Sequence, residues 1–310
     1  MMSGYIPFVQ KYRPQRFSDL IGQEQVVSLL QSAFKEGSIA PAYLFSGPHG
    51  VGKTSAARIF AKLINCQSPR GLEPCCSCES CLQISQGRSI DIIEIDAASN
   101  RRIDEVRQLR ENVKFAPVSC RYKVYIIDEV HMLTLEAFNA LLKTLEEPPS
   151  HVRFILATTH PHKLPPTILS RCQKVEFIRA SKEAIRRYVE AMIEGESLEL
   201  EPQVIEFIVS RANGCMRDAA ALLEQVSVIA KSSEISWEEL MSILSYQGSP
   251  LVQEIIEAVV KKDVTSIVKV VNRLIEEGVD LATFLSEVEE ILRAGLLAVE
   301  SVPEDLWQID

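Results

Sequence analysis

Residues 43–64 read YLFSGPHGVGKTSAARIFAKLI, and this stretch decides the fold class. It predicts a short apolar strand, a glycine-rich turn and a helix, and residues 47–54 match the pattern GxxxxGK[ST]. Backbone N–H groups of such a turn bind phosphate oxygens, Lys53 neutralises the β- and γ-phosphates, and the Thr54 hydroxyl ligates Mg²⁺. The predicted nucleoside triphosphate site comprises Gly47, Pro48, His49, Gly50, Val51, Gly52, Lys53, Thr54 and Ser55.

Further short apolar runs predict more strands after this stretch. They cover residues 90–95, 123–127 and 153–158, and helical patterns at 102–114 and 134–146 separate them. Strands that alternate with helices form a parallel sheet with helices on both faces, and ligands bind at the carboxyl ends of such strands. We therefore predict an α/β fold whose nucleotide lies at that edge of the sheet.

The segment VYIIDEVH at 124–131 places Asp128 and Glu129 where an apolar strand ends. Carboxylates are costly to bury without partners, and beside a phosphate site a metal ion and a water molecule are suitable partners. We predict that Asp128 holds Mg²⁺ through water and that Glu129 polarises the water that attacks the nucleotide. Carboxylates that only cap the next helix are the alternative.

After Phe177 the strand patterns stop and helical patterns follow. These patterns lie at 182–194, 202–212, 217–230, 236–244, 250–261, 264–277 and 280–299. The predicted domains are a core at 1–178 with an insertion at about 65–82, a helical lid at 179–246 and an all-α domain at 247–310. The last residues, VPEDLWQID, contain no obvious cap, so the third domain is either incomplete or naturally short.

Composition limits the class of protein. The chain has 310 residues, of which 46% are hydrophobic and 24% charged, as in soluble proteins with two or three domains. No apolar run is long enough for a membrane span and the N-terminus lacks a secretory signal, so we predict a cytoplasmic protein without a membrane partner. The net charge of −9 means that any nucleic-acid contact is local or shared with other subunits.

Five of the eight cysteines lie between Cys66 and Cys81. Cys66, Cys75, Cys78 and Cys81 form Cx8CxxCxxC, a spacing that suits a tetrahedral structural Zn²⁺ site. Cys76 could replace Cys75, but the CxxCxxC register favours Cys75. A disulfide is the alternative, which a cytosolic location disfavours. We expect zinc to fold the insertion and not to take part in catalysis. The five histidines lack metal-ligand spacing and are interpreted as structural.

Longer segments carry a more specific pattern. They are KYRPQRFSDLIGQ at 11–23, the glycine-rich turn, IDAASNRRIDEVR at 95–107, YIIDEVHMLTLEAFNALLKTLEEPP at 125–149, FILATTHPHKLPPTILSRC at 154–172 and GCMRDA at 214–219. Together they resemble the gamma/tau subunits of bacterial DNA polymerase III clamp loaders, which are AAA+ ATPases. The resemblance covers nearly the whole chain and implies an AAA+ core, a lid and a collar domain.

The resemblance implies roles for further residues. Arg171, in the Ser-Arg-Cys motif at 170–172, corresponds to a finger that reaches the ATP of the neighbouring subunit. Thr159 corresponds to the first sensor of the γ-phosphate or the attacking water, with Thr158 as the alternative, and Arg217 corresponds to the second sensor. The segment bordering the adenine corresponds to Tyr12, Arg13, Pro14, Ile21 and Gly22.

The resemblance also implies function and partners. We expect a DNA-stimulated ATPase that loads a ring-shaped sliding clamp onto primer-template DNA, in a five-subunit, nucleoid-associated assembly with delta, delta prime and further gamma/tau copies. Arg101, Arg102 and Lys143 are candidates for contacts with the DNA backbone. The alternatives are another DNA-associated AAA+ ATPase, such as a branch-migration motor, and a nucleotide-binding scaffold without turnover.

Overall fold

The computed structural model describes residues 5–99, 109, 111–230 and 248–276, together with single positions between 281 and 292. The helical patterns at 102–114, 236–244 and 280–299 fall wholly or largely outside the described residues. The chain forms two compact units, Met1–Ser232 and Ser233–Asp310, and each is described by itself.

The first unit is built on a parallel five-stranded sheet. Its strands are β1 (Ala42–Ser46), β2 (Ile92–Asp96), β3 (Lys123–Asp128), β4 (Val152–Thr158) and β5 (Gln173–Glu176). Their order is β2-β3-β4-β1-β5, and every neighbouring pair is parallel, so the predicted α/β fold class is confirmed. Strand β5 was not predicted. It lies at the edge of the sheet, where only Val175 of its four residues is buried, so it lacks an apolar run.

Helices cover both faces of the sheet, and three more helices follow it in the chain. In the core they are α1 (Phe8–Lys11), α2 (Glu24–Lys35), α3 (Lys53–Ile64), α4 (Glu79–Ser85), α5 (Leu135–Glu146) and α6 (Pro166–Leu169). The helices after the sheet, here named the lid helices after the predicted lid, are α7 (Lys182–Glu196), α8 (Pro202–Arg211) and α9 (Met216–Ala230). Side-chain caps begin two of them, because Thr134 accepts a hydrogen bond from the Ala137 N–H and Ser181 from the Ala184 N–H.

Two apolar layers hold the sheet between its helices. Successive residues of β1 point to opposite faces, so Tyr43 and Phe45 pack towards α3 while Leu44 packs on the other face, in the cluster that contains α5. Because both faces are buried, the strands consist of nearly continuous apolar runs. This packing fixes the start of α3 at the carboxyl edge of the sheet, where the glycine-rich turn lies.

The second unit contains α10 (Gly248–Val260) and α11 (Val264–Glu276). Leu251 and Val252 of α10 pack against Val270 and Leu274 of α11, and Phe284 completes this small apolar cluster. Among the helices that the structure describes, none combines the length and the apolar character that a bilayer-spanning segment needs.

Candidate functional site

The glycine-rich turn connects β1 to α3 and needs glycine for two reasons. Gly50 has a φ of +69°, and a Cβ on it would lie 2.0 Å from the Cys215 Sγ atom. Gly47 has a φ of +143°, and a Cβ on it would lie 2.3 Å from the Phe177 carbonyl oxygen. The backbone conformation favours glycine at both positions, and the neighbouring atoms leave no room for a side chain. The turn is therefore enclosed by the segment that precedes α9 and by the end of the sheet.

Lys53, the first residue of α3, lies over this turn. Its Nζ atom donates to the carbonyl oxygens of Gly47 at 2.8 Å and Pro48 at 2.6 Å. Burial lowers the pKa of Lys53, and the nearby carboxylates of Glu129 and Asp128 oppose this shift. An anionic ligand in the turn can replace the two carbonyl partners with stronger, charge-assisted ones.

The two candidate magnesium ligands contact each other. The Thr54 hydroxyl donates to Asp128 Oδ2 at 2.6 Å, and Asp128 Oδ1 accepts the Glu129 N–H at 3.0 Å. Asp128 is the last residue of β3, and Thr54 lies in the first turn of α3. Hydroxyl and carboxylate oxygens beside a phosphate site are the ligands that Mg²⁺ prefers, so this donor set fits the ion.

Glu129 is held at the end of β4 by Thr159. Its backbone has a φ of +46°, in the left-handed region. Glu129 Oε2 accepts from the Thr159 hydroxyl at 3.0 Å and from the Thr159 N–H at 3.3 Å. His131 Nδ1 lies 3.2 Å from the same oxygen, and His49 Nδ1 lies 3.5 Å from Oε1. The carboxylate therefore has several protein partners around it.

The two sequence candidates for the first sensor have different surroundings. The Thr158 hydroxyl is buried, lies 3.0 Å from His131 Nδ1 and accepts the His160 N–H at 3.0 Å. The Thr159 hydroxyl instead faces Glu129 and lies 2.8 Å from His160 Nδ1. Because the Thr159 hydroxyl donates its hydrogen to Glu129, it accepts one from His160, which requires the imidazole to carry its proton on Nδ1. The structure therefore places Thr159 against Glu129.

A cavity of about 570 Å³ opens beside these groups, large enough for a small-molecule ligand. The predicted site residues in its lining are Arg13, Pro14, Ile21, His49, Gly50, Val51, Gly52, Lys53, Thr54, Ser55, Asp128, Glu129 and Arg217. The lining also includes residues that were not predicted from the sequence, namely Val9, Gln10, Asp19, Leu20, Asp96, Ala98, Tyr188, Met216 and Ala220. Tyr188 and Arg217 belong to the lid helices, so these helices form part of the cavity wall.

Several predicted residues lie beside the cavity and not in its lining. They are Tyr12, Gly22, Gly47, Pro48 and Thr159. The Tyr12 hydroxyl donates to Glu196 Oε1 on α7 at 2.8 Å, and burial, with this hydrogen bond, raises the pKa of Tyr12 to about 12. Tyr12 therefore joins the N-terminal segment to α7.

The remaining sequence candidates lie elsewhere. The Arg171 guanidinium donates to Glu146 Oε1 at 2.6 Å and to the Thr167 carbonyl at 2.8 Å, and Arg171 does not line the cavity of its own chain. Lys143 is exposed on α5. Arg101 and Arg102 lie outside the described residues.

The four candidate zinc ligands meet in one cluster. The Sγ atoms of Cys66, Cys75, Cys78 and Cys81 all lie within 4.8 Å of one another. The Cys75–Cys81 Sγ distance of 3.9 Å agrees with the roughly 3.8 Å between two sulfurs that tetrahedral Zn–S bonds of about 2.3 Å require. Cys76 instead lies with its Sγ 3.5 Å from the Gln15 carbonyl oxygen.

Backbone N–H groups support a thiolate in this cluster. Those of Ser77 and Cys78 donate to Cys75 Sγ at 3.4 and 3.2 Å, and these bonds lower the pKa of Cys75 to about 5 against the effect of burial. All eight cysteines lie within the described residues, and no two of them form a disulfide. The donor set therefore fits Zn²⁺.

The architecture is that of the AAA+ class of P-loop proteins. Among solved structures, the Thermotoga maritima RuvB Holliday junction branch migration motor has a similar fold, with a TM-score of 0.57 and 19% identity over 80% of each chain. A family model described as DNA polymerase III, delta subunit, matches residues 22–181.

Curated relatives narrow the class to one family. The DNA polymerase III subunit tau of Bacillus subtilis is 46% identical over 94% of this chain and 52% of its own length. The DNA polymerase III subunit gamma of Buchnera aphidicola is 37% identical over 93% of this chain and 80% of its own length. The chain belongs to the DNA polymerase III gamma/tau subunit family. It spans about half the length of the tau relatives from Bacillus subtilis and Escherichia coli.

Proposed function

We propose that this chain is an ATP-binding and ATP-hydrolysing motor subunit of a DNA polymerase III clamp loader, which loads a sliding clamp onto primer-template DNA. The observation that carries the proposal is one cavity in which Lys53, the Thr54–Asp128 pair and Glu129 lie together at the carboxyl edge of the sheet. Each element of a P-loop hydrolase is thus represented by a side chain of suitable chemistry.

Each of these residues has a separate role in the proposed reaction. The glycine-rich turn and Lys53 bind the β- and γ-phosphates, and Thr54 and Asp128 hold Mg²⁺, which supplies positive charge to the phosphate oxygens. Glu129 accepts a proton from the attacking water while the water oxygen bonds to the γ-phosphorus. The bond to the β-phosphate oxygen breaks, which yields ADP and inorganic phosphate. Thr159 sets the position of the Glu129 carboxylate through the hydrogen bonds described above.

We further propose that Arg171 acts on ATP held by the neighbouring subunit. A guanidinium group matches the charge that spreads over a transferring phosphoryl group, and its place outside the cavity of its own chain suits a role in trans. Arg217, which lines the cavity from α9, instead couples the nucleotide to the position of the lid.

ATP turnover tests this proposal. It is measured for the full chain alone and then with partner subunits, clamp and primed DNA, for wild type, Arg171→Ala and Arg171→Lys. We expect stimulation by the assembly in wild type and a loss of about 10³-fold in Arg171→Ala, with little rescue by Lys because an ammonium lacks the planar fork. ATP affinity of the isolated chain serves as the control and stays unchanged. The proposal would be contradicted if the rate of ATP turnover were the same with and without partners and DNA and were unchanged by the Arg171 substitutions.

The proposal also includes two further domains, a lid at 179–246 and a collar at 247–310, and contacts with DNA. The collar helices fix subunit order with delta, delta prime and further gamma/tau copies, while Arg101, Arg102 and Lys143 contact DNA phosphates. Each lost phosphate contact is expected to reduce the slope of log affinity against log salt by about one. An unchanged slope for the complex with Arg102→Ala and Lys143→Ala would contradict these DNA contacts.

A further inference from the structure

One carboxylate of the cysteine insertion contacts the N-terminal segment twice. Glu73 Oε2 accepts the Phe17 N–H at 2.8 Å, and Glu73 Oε1 accepts the Ser18 N–H at 3.0 Å. Phe17 and Ser18 begin a 3-10 turn (Phe17–Asp19), whose first N–H groups have no acceptor within the turn. A single side chain of the insertion therefore satisfies two backbone donors of another segment.

A buried lysine makes a second connection between the same regions. Lys62 of α3 is almost fully buried, and its Nζ atom donates to the Gln15 carbonyl at 2.6 Å and to Gln15 Oε1 at 2.9 Å. Its third partner is the Ser85 hydroxyl at 3.4 Å, and Ser85 also donates to Gln15 Oε1 at 3.2 Å. Ser85 ends α4, the helix that contains Cys81. The insertion, α3 and Gln15 thus share one polar cluster.

The segment held in this way is part of the cavity wall. Arg13 and Pro14 precede residues 15–18 and line the cavity, and Asp19, Leu20 and Ile21 follow them and line it as well. The four clustered cysteines do not line the cavity. The contacts at residues 15–18 therefore offer one path from the metal site to the cavity, beside the direct connection through α3, which begins at cavity-lining Lys53 and ends two residues before Cys66.

The position of Glu73 depends on the metal site because of its place in the chain. It lies between Cys66 and Cys75, two residues before Cys75. Zinc binding that draws the four sulfurs together fixes the path of this loop. The Gln31 side chain of α2 supports the loop by donating to the Leu72 carbonyl at 3.2 Å and to Glu73 Oε1 at 3.4 Å.

We propose that Glu73 is a positioning residue through which metal binding by the cysteine cluster holds the cavity wall at residues 13–21, so that metal and nucleotide binding strengthen each other. The inference rests on the proposed nucleotide binding. Coupling of this kind is reciprocal, so bound nucleotide also raises the affinity for the metal.

The experiment compares wild type with Glu73→Ala, Glu73→Gln and the control Glu79→Ala, all in the full chain. Glu79 is an exposed carboxylate of the same insertion that bonds Gln83 of its own helix at 3.1 Å. Three quantities are measured: bound zinc, hydrogen exchange of the Phe17 and Ser18 amides without nucleotide, and the affinity for a fluorescent ATP analogue.

We expect Glu73→Ala to retain zinc, to exchange the Phe17 and Ser18 amides faster and to bind nucleotide about five-fold more weakly. Glu73→Gln should be intermediate, because its amide keeps only one acceptor oxygen. Glu79→Ala should match wild type. Zinc chelation should weaken nucleotide binding in wild type more than in Glu73→Ala, since the variant has already lost the Glu73 part of the connection.

The proposal would be overturned if Glu73→Ala and Glu79→Ala had equal rates of amide exchange and equal affinity for the ATP analogue. It would also be overturned if zinc chelation left the nucleotide affinity of wild type unchanged. Faster exchange with unchanged affinity would overturn the coupling. If wild type binds no nucleotide, the proposed function fails, and amide exchange still decides whether Glu73 positions residues 17–18. If Glu73→Ala loses zinc, Gln31→Ala replaces it, because that change leaves the insertion itself intact and is expected to reproduce a smaller part of both effects.

Discussion

The cavity at the carboxyl edge of the sheet and the cysteine cluster hold their polar side chains together in opposite ways. In the cavity, Lys53, Thr54 and Glu129 each bond to other protein groups, and these groups come from the glycine-rich turn, the end of β3 and the residue that follows β4. In the cluster, four thiols face one another, and a thiol is a weak donor and a weak acceptor. Packing of the whole sheet therefore shapes the cavity, whereas the four thiols of the cluster suit a bound ion that would hold them together. Damage to the cluster should mainly cost stability, and damage to the cavity should mainly cost binding and turnover.

The largest effect is expected from removal of a thiolate ligand. Cys81→Ser should abolish zinc binding and lower the free energy of unfolding by about 3–5 kcal/mol, because the insertion loses the ion that closes it and Cys81 is fully buried. Zinc content and chemical denaturation of the purified chain provide the measurements.

Cys76→Ser is the matched control for this change. Cys76 lies in the same loop but bonds the Gln15 carbonyl, outside the cluster of four. The Cys76→Ser variant should therefore keep one zinc per chain, and its free energy of unfolding should decrease by less than about 1 kcal/mol. Equal losses of zinc and stability in the two variants would remove the distinction between the cluster and the rest of the insertion.

A smaller effect is expected on the cavity side, from Lys53→Ala. The variant should bind ATP about 100-fold more weakly, because it loses a charged donor to the phosphates worth about 2–3 kcal/mol. Its zinc content should be unchanged, in contrast to Cys81→Ser. Isothermal titration with ATP measures the affinity, with the exposed Lys35→Ala as control. A large loss of stability without a loss of affinity would break the comparison between the two regions.

Most of the fold follows from sequence because it rests on local patterns. The glycine-rich turn, the runs that became β1, β3 and β4, and the Cx8CxxCxxC spacing each contain their own signal. Strand β5 does not, since Gln173–Glu176 forms a strand only by pairing with β1. Pairing with a neighbouring strand therefore determines this strand, although its residues show no strand pattern of their own.

The site shows the same limit at the level of single residues. Tyr188 reaches the cavity from α7, and helical periodicity distinguishes a buried face from an exposed one but not one buried environment from another. The sequence likewise did not predict the contacts of His131 with Glu129 and Thr158, because the latter contact joins the segment after β3 to the end of β4. Distances of this kind follow from packing and not from spacing along the chain.

The two threonines at the end of β4 permit a sharper test of the comparison. Thr159→Val removes the hydroxyl that holds Glu129 and should reduce ATP turnover about ten-fold with little change in ATP affinity. Thr158→Val instead removes the acceptor of the His160 N–H and one of the two partners of His131 Nδ1, which keeps Glu129. It should cost about 1–2 kcal/mol of stability. Turnover and denaturation are measured for both variants. The opposite pattern would assign the sensor role to Thr158.

The smallest expected effect concerns pH and tests whether the cavity side holds neutral imidazoles. Burial lowers the pKa of His131, and the positive charges of His160 and Lys163 act in the same direction, against the attraction of Glu129. A base whose pKa is lower in the folded state takes up a proton more readily when unfolded. The contribution of neutral His131 to the free energy of unfolding is therefore fully present above the unfolded pKa of about 6.5. It is lost as the pH falls below that value and through the lower pKa of the folded state.

His131→Gln should flatten this dependence. Between pH 6.5 and 5.5, the decrease in Tm should be smaller in the variant than in wild type, by roughly 2 °C or less for a chain of this size. His162→Gln, which removes an exposed imidazole from the neighbouring loop, should retain the wild-type slope. Because the slope with pH is compared and not the absolute stability, any constant packing loss in His131→Gln cancels. Equal slopes in all three proteins would show that His131 is protonated as readily in the fold as outside it.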